Sequence, residues 1–222
     1  MGKGLRSHER SCDDHCVKRV SLVVVGALLL ALTGACGPPI VYPATHAPDP
    51  PGGQPVENLA SLLVDQPPST VEIMRPEAPN GTVPLDTAVK VLGFDESVVT
   101  LDVLKSYGFK RAVYRAWRDE ATNVRMEIFL IEFDGPLGAA KWTHDVQGVY
   151  GDPDVLDATA ELDSIDEGRT FVLKAEPDGT IHTESIFGHG RVSARIDMLI
   201  PSGQPNLPML NRLSELQYDK LP

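Results

Sequence analysis

The sequence predicts an α+β fold in which helices cover one face of an antiparallel sheet. Three observations support this fold class. Apolar residues alternate along Val124–Phe133 and Val192–Ile200, a Pro-Asp-Gly triplet at 177–179 marks a hairpin turn, and helix-start signals stand at Asp134 and Asn206. Strands that are joined by hairpins and punctuated by helices are typical of α+β domains.

The first elements of the domain are short. Val56–Asp65 places three leucines on one helical face, which predicts a short helix docked on the body. Thr87–Leu92 and Ser97–Val103 are apolar runs that are compatible with either a strand or a helix. Alternation along Arg111–Trp117 predicts a strand, and the apolar residues on both sides of Val124–Phe133 predict a strand whose far end is buried on both faces.

A helix and a hairpin are predicted next. Asp134 as a cap and Pro136 in the first turn favour a helix that runs to about Val149. Its expected core stripe consists of Ala139, Trp142, Val146 and Val149. An acidic loop at 151–168 follows, and two strands between 170 and 187 form the hairpin.

The last strand and helix complete the domain. Val192–Ile200 alternates cleanly, so its apolar residues are expected inside and its polar residues outside, namely Ser193, Arg195 and Asp197. Asn206 is expected to cap a final helix over Leu207–Leu221, whose leucines supply the core positions.

The N-terminal segment has the features of an export signal. A basic pair at 18–19 precedes Val20–Leu32, an uncharged run that is too short to span a bilayer core of ~30 Å. Thr-Gly-Ala at 33–35 and then Cys36 follow, an order that resembles the lipobox of bacterial lipoproteins, in which the cysteine is acylated with chains such as palmitate. We therefore predict lipidation at Cys36. A secretory signal cleaved nearby, or a short buried helix, is the alternative.

The domain organisation follows from this signal. Residues 1–16 fit a signal peptide poorly because they contain three acidic residues, so Val17 is an alternative start. We predict a signal peptide over 1–35, a lipid-anchor cysteine with a proline-rich linker over 36–55, and a single extracytoplasmic α+β domain over 56–222. The linker is expected to be a semi-rigid spacer, because proline favours extended backbone.

Charge, composition and motifs exclude several function classes. The chain has 31 acidic and 20 basic residues, which gives a net charge of −11. Without residues 1–35 the net charge would be −13. Without a basic stripe, nucleic acid is not an expected partner. Three cysteines are too few for a disulfide scaffold or a four-cysteine zinc site. The common hydrolase, metalloprotease and nucleotide-binding motifs do not occur in the sequence. We therefore expect no catalytic residues, no cofactor, no metal and no enzyme activity.

One candidate ligand site stands at the end of a predicted strand. Arg115, Trp117 and Arg118 could hold an anionic or sugar ligand through charge and aromatic stacking. The alternative is a buried tryptophan whose neighbouring arginines pair with the acidic loop, and it is the favoured interpretation.

Two further clusters carry weaker signals. His182 and the Gly-His-Gly turn around His189 could form a metal or proton site on adjacent strands, but a tight turn with an exposed imidazole is favoured. The seven carboxylates between 152 and 167 do not match the oxygen spacing of a calcium loop, so a solvated acidic loop is favoured.

The order of segments also suggests a family. The chain contains five segments in this order: a proline-rich spacer, a leucine stretch at 58–64, GFKRAVYRAW at 108–117, a helix beginning near Gly138 and a final leucine helix containing Gln217. This order resembles that of uncharacterised actinobacterial secreted lipoproteins. That resemblance implies an envelope location and a small α+β domain of the sensor or binding type, and it assigns no site residues.

The function predicted from these observations is binding. We expect a lipoprotein on the outer face of the cell membrane, held there through Cys36, that binds a small ligand or an envelope protein. The alternative is a scaffold or interaction subunit of an envelope complex, and a hydrolase of envelope material is less favoured because no nucleophile–base pair stands out.

Overall fold

The computed structural model describes residues 55–76, 78–92 and 97–222, without the side chains of 97–99. The predicted signal peptide, the alternative start at Val17 and the lipidation residue Cys36 lie outside the described residues. Within them a short 3-10 turn at Leu59–Leu62 precedes, in order, β1 (Thr70–Ile73), β2 (Gly81–Val83), α1 (Leu85–Leu92), α2 (Ser97–Ser106), β3 (Phe109–Asp119), β4 (Arg125–Phe133), α3 (Pro136–Tyr150), β5 (Leu156–Glu161), β6 (Arg169–Leu173), β7 (Ile181–His189), β8 (Val192–Ile200) and α4 (Leu207–Tyr218).

The strands form one sheet in the order β1-β3-β4-β8-β7-β6-β5, and β2 pairs with β3 as well. Every pairing between these strands is antiparallel. The predicted α+β class with an antiparallel sheet is therefore confirmed. The predicted hairpin joins β6 to β7, where Gly179 has a φ of +87° that glycine adopts without steric cost.

Helices cover both faces of the sheet, so the expectation of helices on one face is wrong. Met126, Ile128 and Leu130 of β4 join a core with residues of α4, and we call this side the α4 face. Phe129 and Ile131 of the same strand join a second core with residues of α1, α2 and α3, on what we call the α3 face. Successive side chains of a strand point to opposite faces, so a central strand of this sheet has to be apolar on both.

The burial of both faces also corrects the expectation for β8. Ser193, Arg195 and Asp197 were expected outside but are buried on the α3 face. The alternation itself is as predicted, because the apolar residues of β8 lie in the core of the α4 face. A polar side of a strand therefore lies under the helices, where its groups need partners.

Helix α3 follows the prediction with two differences. Its N-cap residue is Gly135 rather than Asp134, and Pro136 lies in the first turn as expected. Ala139, Trp142 and Val146 are buried, but Val149 is exposed. The helix packs closely against the end of the α2–β3 connection, because a Cβ added at Gly138 would lie 2.0 Å from the main-chain oxygen of Tyr107.

The two ambiguous apolar runs and the acidic segment are also resolved. Residues 87–92 belong to α1 and residues 97–103 to α2, so both runs are helical. The segment 151–168, predicted as a loop, contains the edge strand β5. No described helix is long and apolar enough to cross a membrane.

Residues 56–64, which we call the lead-in segment, pack on the α4 face and confirm the prediction of a short docked helix. Its start is held by Glu132, a fully buried carboxylate of β4 that accepts a hydrogen bond from the main-chain N–H of Val56 at 3.4 Å. Glu132 also pairs with Lys110 at 2.9 Å and Arg111 at 2.5 Å. Arg111 in turn donates to the main-chain oxygen of Val56.

Candidate functional site

A groove of about 740 Å³ separates helix α3 from the loop that joins β5 to β6. One wall is the helix surface that carries Thr143, His144 and Gln147, and the other is the chain from Glu161 to Arg169. This volume lies in the range of ordinary small-molecule sites, and the groove opens to solvent.

The loop wall is fixed by buried anchors. Leu162 and Ile165 turn inward and are buried in the core of the α4 face. Gln147 of α3 donates to the main-chain oxygens of Glu167 at 2.8 Å and Ile186 at 3.0 Å, which ties the loop to the helix and to β7. The wall is thus attached to both sides of the sheet, although it carries an acidic sequence.

Hydrogen bonds within the loop complete its shape. Leu162 N–H donates to the oxygen of Gly168, and Gly168 N–H donates to that of Ile165, both at 3.0 Å. A Cβ at Gly168 would lie 2.8 Å from Ile165, so this tight turn needs glycine. Ser164 donates to Glu215 of α4 at 3.1 Å. A wall that is already ordered loses little conformational entropy when a ligand binds.

The groove is negatively charged. Four exposed carboxylates line it, those of Glu161, Asp163, Asp166 and Glu167, against one guanidinium, that of Arg169. Carboxylates only accept hydrogen bonds, so the groove suits a ligand that is cationic or rich in N–H and O–H donors. The sequence predicted only a solvated loop for this segment. The feature that could have indicated a groove wall is the pair of apolar residues at 162 and 165 within the acidic run.

The three residues of the predicted ligand site do not share one surface. Trp117 of β3 is fully buried in the core of the α4 face. Arg115 lies on the same face of the strand, whereas alternation places the exposed Arg118 on the α3 face. The burial of Trp117 agrees with the favoured interpretation, and ligand contact by the three residues stays a prediction.

The two histidines of the second predicted cluster are also separate. His182 Nε2 lies 2.9 Å from a carboxylate oxygen of Glu176. His189 Nδ1 lies 3.1 Å from the hydroxyl of Tyr218, whose ring packs edge-on against the imidazole. Because the two positions are seven residues apart on one strand, they face opposite sides of the sheet. In the described part of the chain, no group of three or more His, Cys, Asp or Glu side chains is placed to hold a metal ion.

No family model matches the chain. No curated protein matches it in sequence. Among solved structures, it is similar to the crystal structure of the extracellular domain of PknH from Mycobacterium tuberculosis, with 12% sequence identity, a TM-score of 0.49, and coverage of 77% of this chain and 98% of that one. The resemblance to actinobacterial lipoproteins stays a prediction.

Proposed function

We propose that this chain is a lipid-anchored, extracytoplasmic binding module and that its ligand occupies the groove between α3 and the β5–β6 loop. The groove itself carries the proposal: it has the volume of a small-molecule site, and one wall is held in place by Leu162, Ile165 and Gln147 before any ligand arrives. The proposed ligand is a small organic cation, because four carboxylates and one guanidinium line the groove, so its charge is negative.

The anchor explains how such a module is held. Cys36 would carry the acyl chains, and the proline-rich sequence at 37–55 would serve as a tether, which in extended form would reach on the order of 60 Å at ~3.1 Å per residue. An acidic domain is repelled by anionic headgroups, which favours a position away from the membrane surface.

Thermal unfolding in the presence of spermidine, used as the probe cation, tests the binding proposal. A ligand that binds the folded state raises the melting temperature, so we expect a saturable rise with the wild-type chain and a smaller one with Asp163→Asn/Asp166→Asn. The matched control is Glu120→Gln/Asp157→Asn, which removes two exposed carboxylates outside the groove.

The response of the control variant distinguishes a ligand site in the groove from general charge screening. A control that responds like the wild type supports a groove site. Equal losses in the two double variants would show general charge screening and would overturn the proposal.

Metabolic labelling with a fatty-acid analogue tests the anchor separately: Cys36→Ala should lose the label, and equal labelling of the variant contradicts lipidation at this residue.

A further inference from the structure

Three carboxylates lie in one line across the centre of the sheet, beneath the helices of the α3 face. Asp197 of β8 is the direct cross-strand partner of Glu127 on β4 and of Glu184 on β7. Direct partners share a face, so the three side chains, which we call the carboxylate row, point the same way. Their residues are only 2%, 8% and 4% exposed for Glu127, Asp197 and Glu184 respectively.

Arg195 is the buried cation closest to the inner part of the row, but most of its donors are used elsewhere. Its terminal nitrogens donate to the main-chain oxygens of Leu92 at 3.0 Å and Val91 at 3.1 Å, at the end of α1, and to the hydroxyl of Tyr150 at 3.0 Å. Its Nε lies 3.9 Å from Glu184, the outer limit of an ion pair. Arg195 therefore links α1 and α3 to the sheet more firmly than it neutralises the row.

The outer carboxylate has its own partners. Glu127 pairs with Arg75 at 2.9 Å and with Arg125 at 2.6 Å, and both of these arginines reach solvent. At the inner end, one oxygen of Glu184 and one of Asp197 have no hydrogen-bond partner within the described residues. Arg195 is thus the main positive charge acting on both Glu184 and Asp197, and its guanidinium is already engaged. Glu184 also has a hydrogen bond with the hydroxyl of Tyr150.

The other elements around the row add little positive charge. The described buried residues of α1 and α2 are uncharged, and Phe171 of β6 is the cross-strand partner of Glu184. The remaining titratable or charged groups that act on the row are Tyr114 of β3, Tyr150 of α3, His182 of β7, and Arg75, Arg125 and Arg195.

Two adjacent carboxylates in a buried site cannot both ionise without a large electrostatic cost. Burial raises the pKa of Glu184 to about 8, which the charge of Arg195 offsets only in part. Burial raises the pKa of Asp197 as well, again against Arg195. The geometry and the pKa directions agree that the pair keeps a proton at neutral pH.

We propose that Glu184 and Asp197 form a proton-operated latch: while they share a proton, Arg195 stays on the carbonyl oxygens of α1, and when the proton leaves, the two anions draw Arg195 away and loosen α1 from the sheet. The step releases one proton to solvent and breaks no covalent bond. An extracytoplasmic domain with this latch would respond to the pH of its surroundings in the range where the pair titrates.

The sign of the effect follows from the raised pKa. The proton is bound more tightly in the folded state, so its contribution to stability is fully present below the ordinary carboxyl pKa of 4.5 and is lost as the pH rises through about 8. For the full chain we expect the unfolding equilibrium constant to rise by up to about tenfold per pH unit between about pH 5.5 and 7.5. Glu184→Gln and Asp197→Asn should each flatten this dependence.

Hydrogen exchange tests the latch itself. At pH 8.5 the amides near Leu92 should exchange faster in the wild type than in Glu184→Gln, whereas at pH 5.5 the two chains should agree. His182→Gln is the control for the nearby imidazole, and the loss of protection near Leu92 with rising pH should persist in this variant.

Several outcomes would overturn the proposal. Parallel pH profiles of wild type, Glu184→Gln and Asp197→Asn contradict a shared proton. Equal exchange near Leu92 at pH 8.5 contradicts the release of α1. If both variants fail to fold, the protons released when the wild-type chain unfolds at pH 7 decide the question, and a release of none refutes proton binding by the pair. None of these measurements depends on a ligand in the groove.

Discussion

Gln217 of α4 fastens the lead-in segment to the end of the chain, and its replacement by methionine is a strong test of the fold. The residue is 0% exposed. Its Nε2 donates to the main-chain oxygen of Leu62 at 2.8 Å, and its Oε1 accepts from the main-chain N–H of Val64 at 3.2 Å. Methionine keeps the length of the side chain but can make neither bond.

The cost of Gln217→Met can be worked out from the two groups that lose their partner. An unsatisfied buried polar group costs about 1–3 kcal/mol. Val64 N–H is buried and should cost the larger share, whereas the oxygen of Leu62 is partly exposed and can bind water. The sum is about 2–4 kcal/mol, or a fall in melting temperature of about 5–15 °C for a domain of this size.

Urea unfolding and native-state hydrogen exchange measure this effect. We expect a lower midpoint and the largest loss of protection in the lead-in segment. Leu216→Gln is the matched control, because Leu216 precedes Gln217 on the helix and is exposed, and its change should stay within about 0.5 kcal/mol. A free energy of unfolding for Gln217→Met within about 0.5 kcal/mol of the wild type would refute the role of these two bonds.

Two more predictions concern the seating of α3 and the start of the lead-in segment. Gly138→Ala should destabilise the chain by about 1–3 kcal/mol or more in urea unfolding, because the new Cβ would lie 2.0 Å from the main-chain oxygen of Tyr107. Gly148→Ala in the same helix is the control: its new Cβ would contact no other atom, so this variant should be more stable by up to about 1 kcal/mol. For Glu132, burial raises the pKa, but hydrogen bonds from its two basic partners outweigh burial and lower it. Its contribution is therefore present above the ordinary carboxyl pKa and lost as the pH falls through the lowered value, so Glu132→Gln should lose less stability on acidification than the wild type.

The sheet was largely predictable from the sequence because the apolar pattern of single strands is strong. Val124–Phe133 is apolar on both sides, and both sides are buried. The prediction from the same pattern was wrong at β8, where Arg195 and Asp197 were expected to be exposed to solvent but are buried. A polar residue can be buried when another element supplies its partner, and the partners of Arg195 lie 45 and about 103 residues away along the chain. Local periodicity contains no information on such distant groups.

The groove was less predictable for a related reason. Seven carboxylates between 152 and 167 indicate a solvated loop, and each of these charged groups by itself favours water. The loop is nevertheless held because Leu162 and Ile165 reach the core beneath it. Two apolar residues in an acidic segment are a weak signal in sequence, and only the packing of α3 against the sheet shows that they form one wall of a cavity.

Polar contacts determine how helix α3 is rotated on the sheet. Its apolar stripe is short, and both Leu137 and Val149 are exposed, so hydrophobic burial alone would tolerate other rotations. Thr143, Gln147 and Tyr150 follow one another along one face of the helix and bind Ser193 at 2.8 Å, the main-chain oxygen of residue 186 at 3.0 Å and Arg195 at 3.0 Å. A rotated helix would break all three of these contacts, at a cost in stability because buried polar groups would lose hydrogen bonds. The polar side of β8, which the sequence pattern assigned to solvent, thus specifies the position of the helix that forms one wall of the groove.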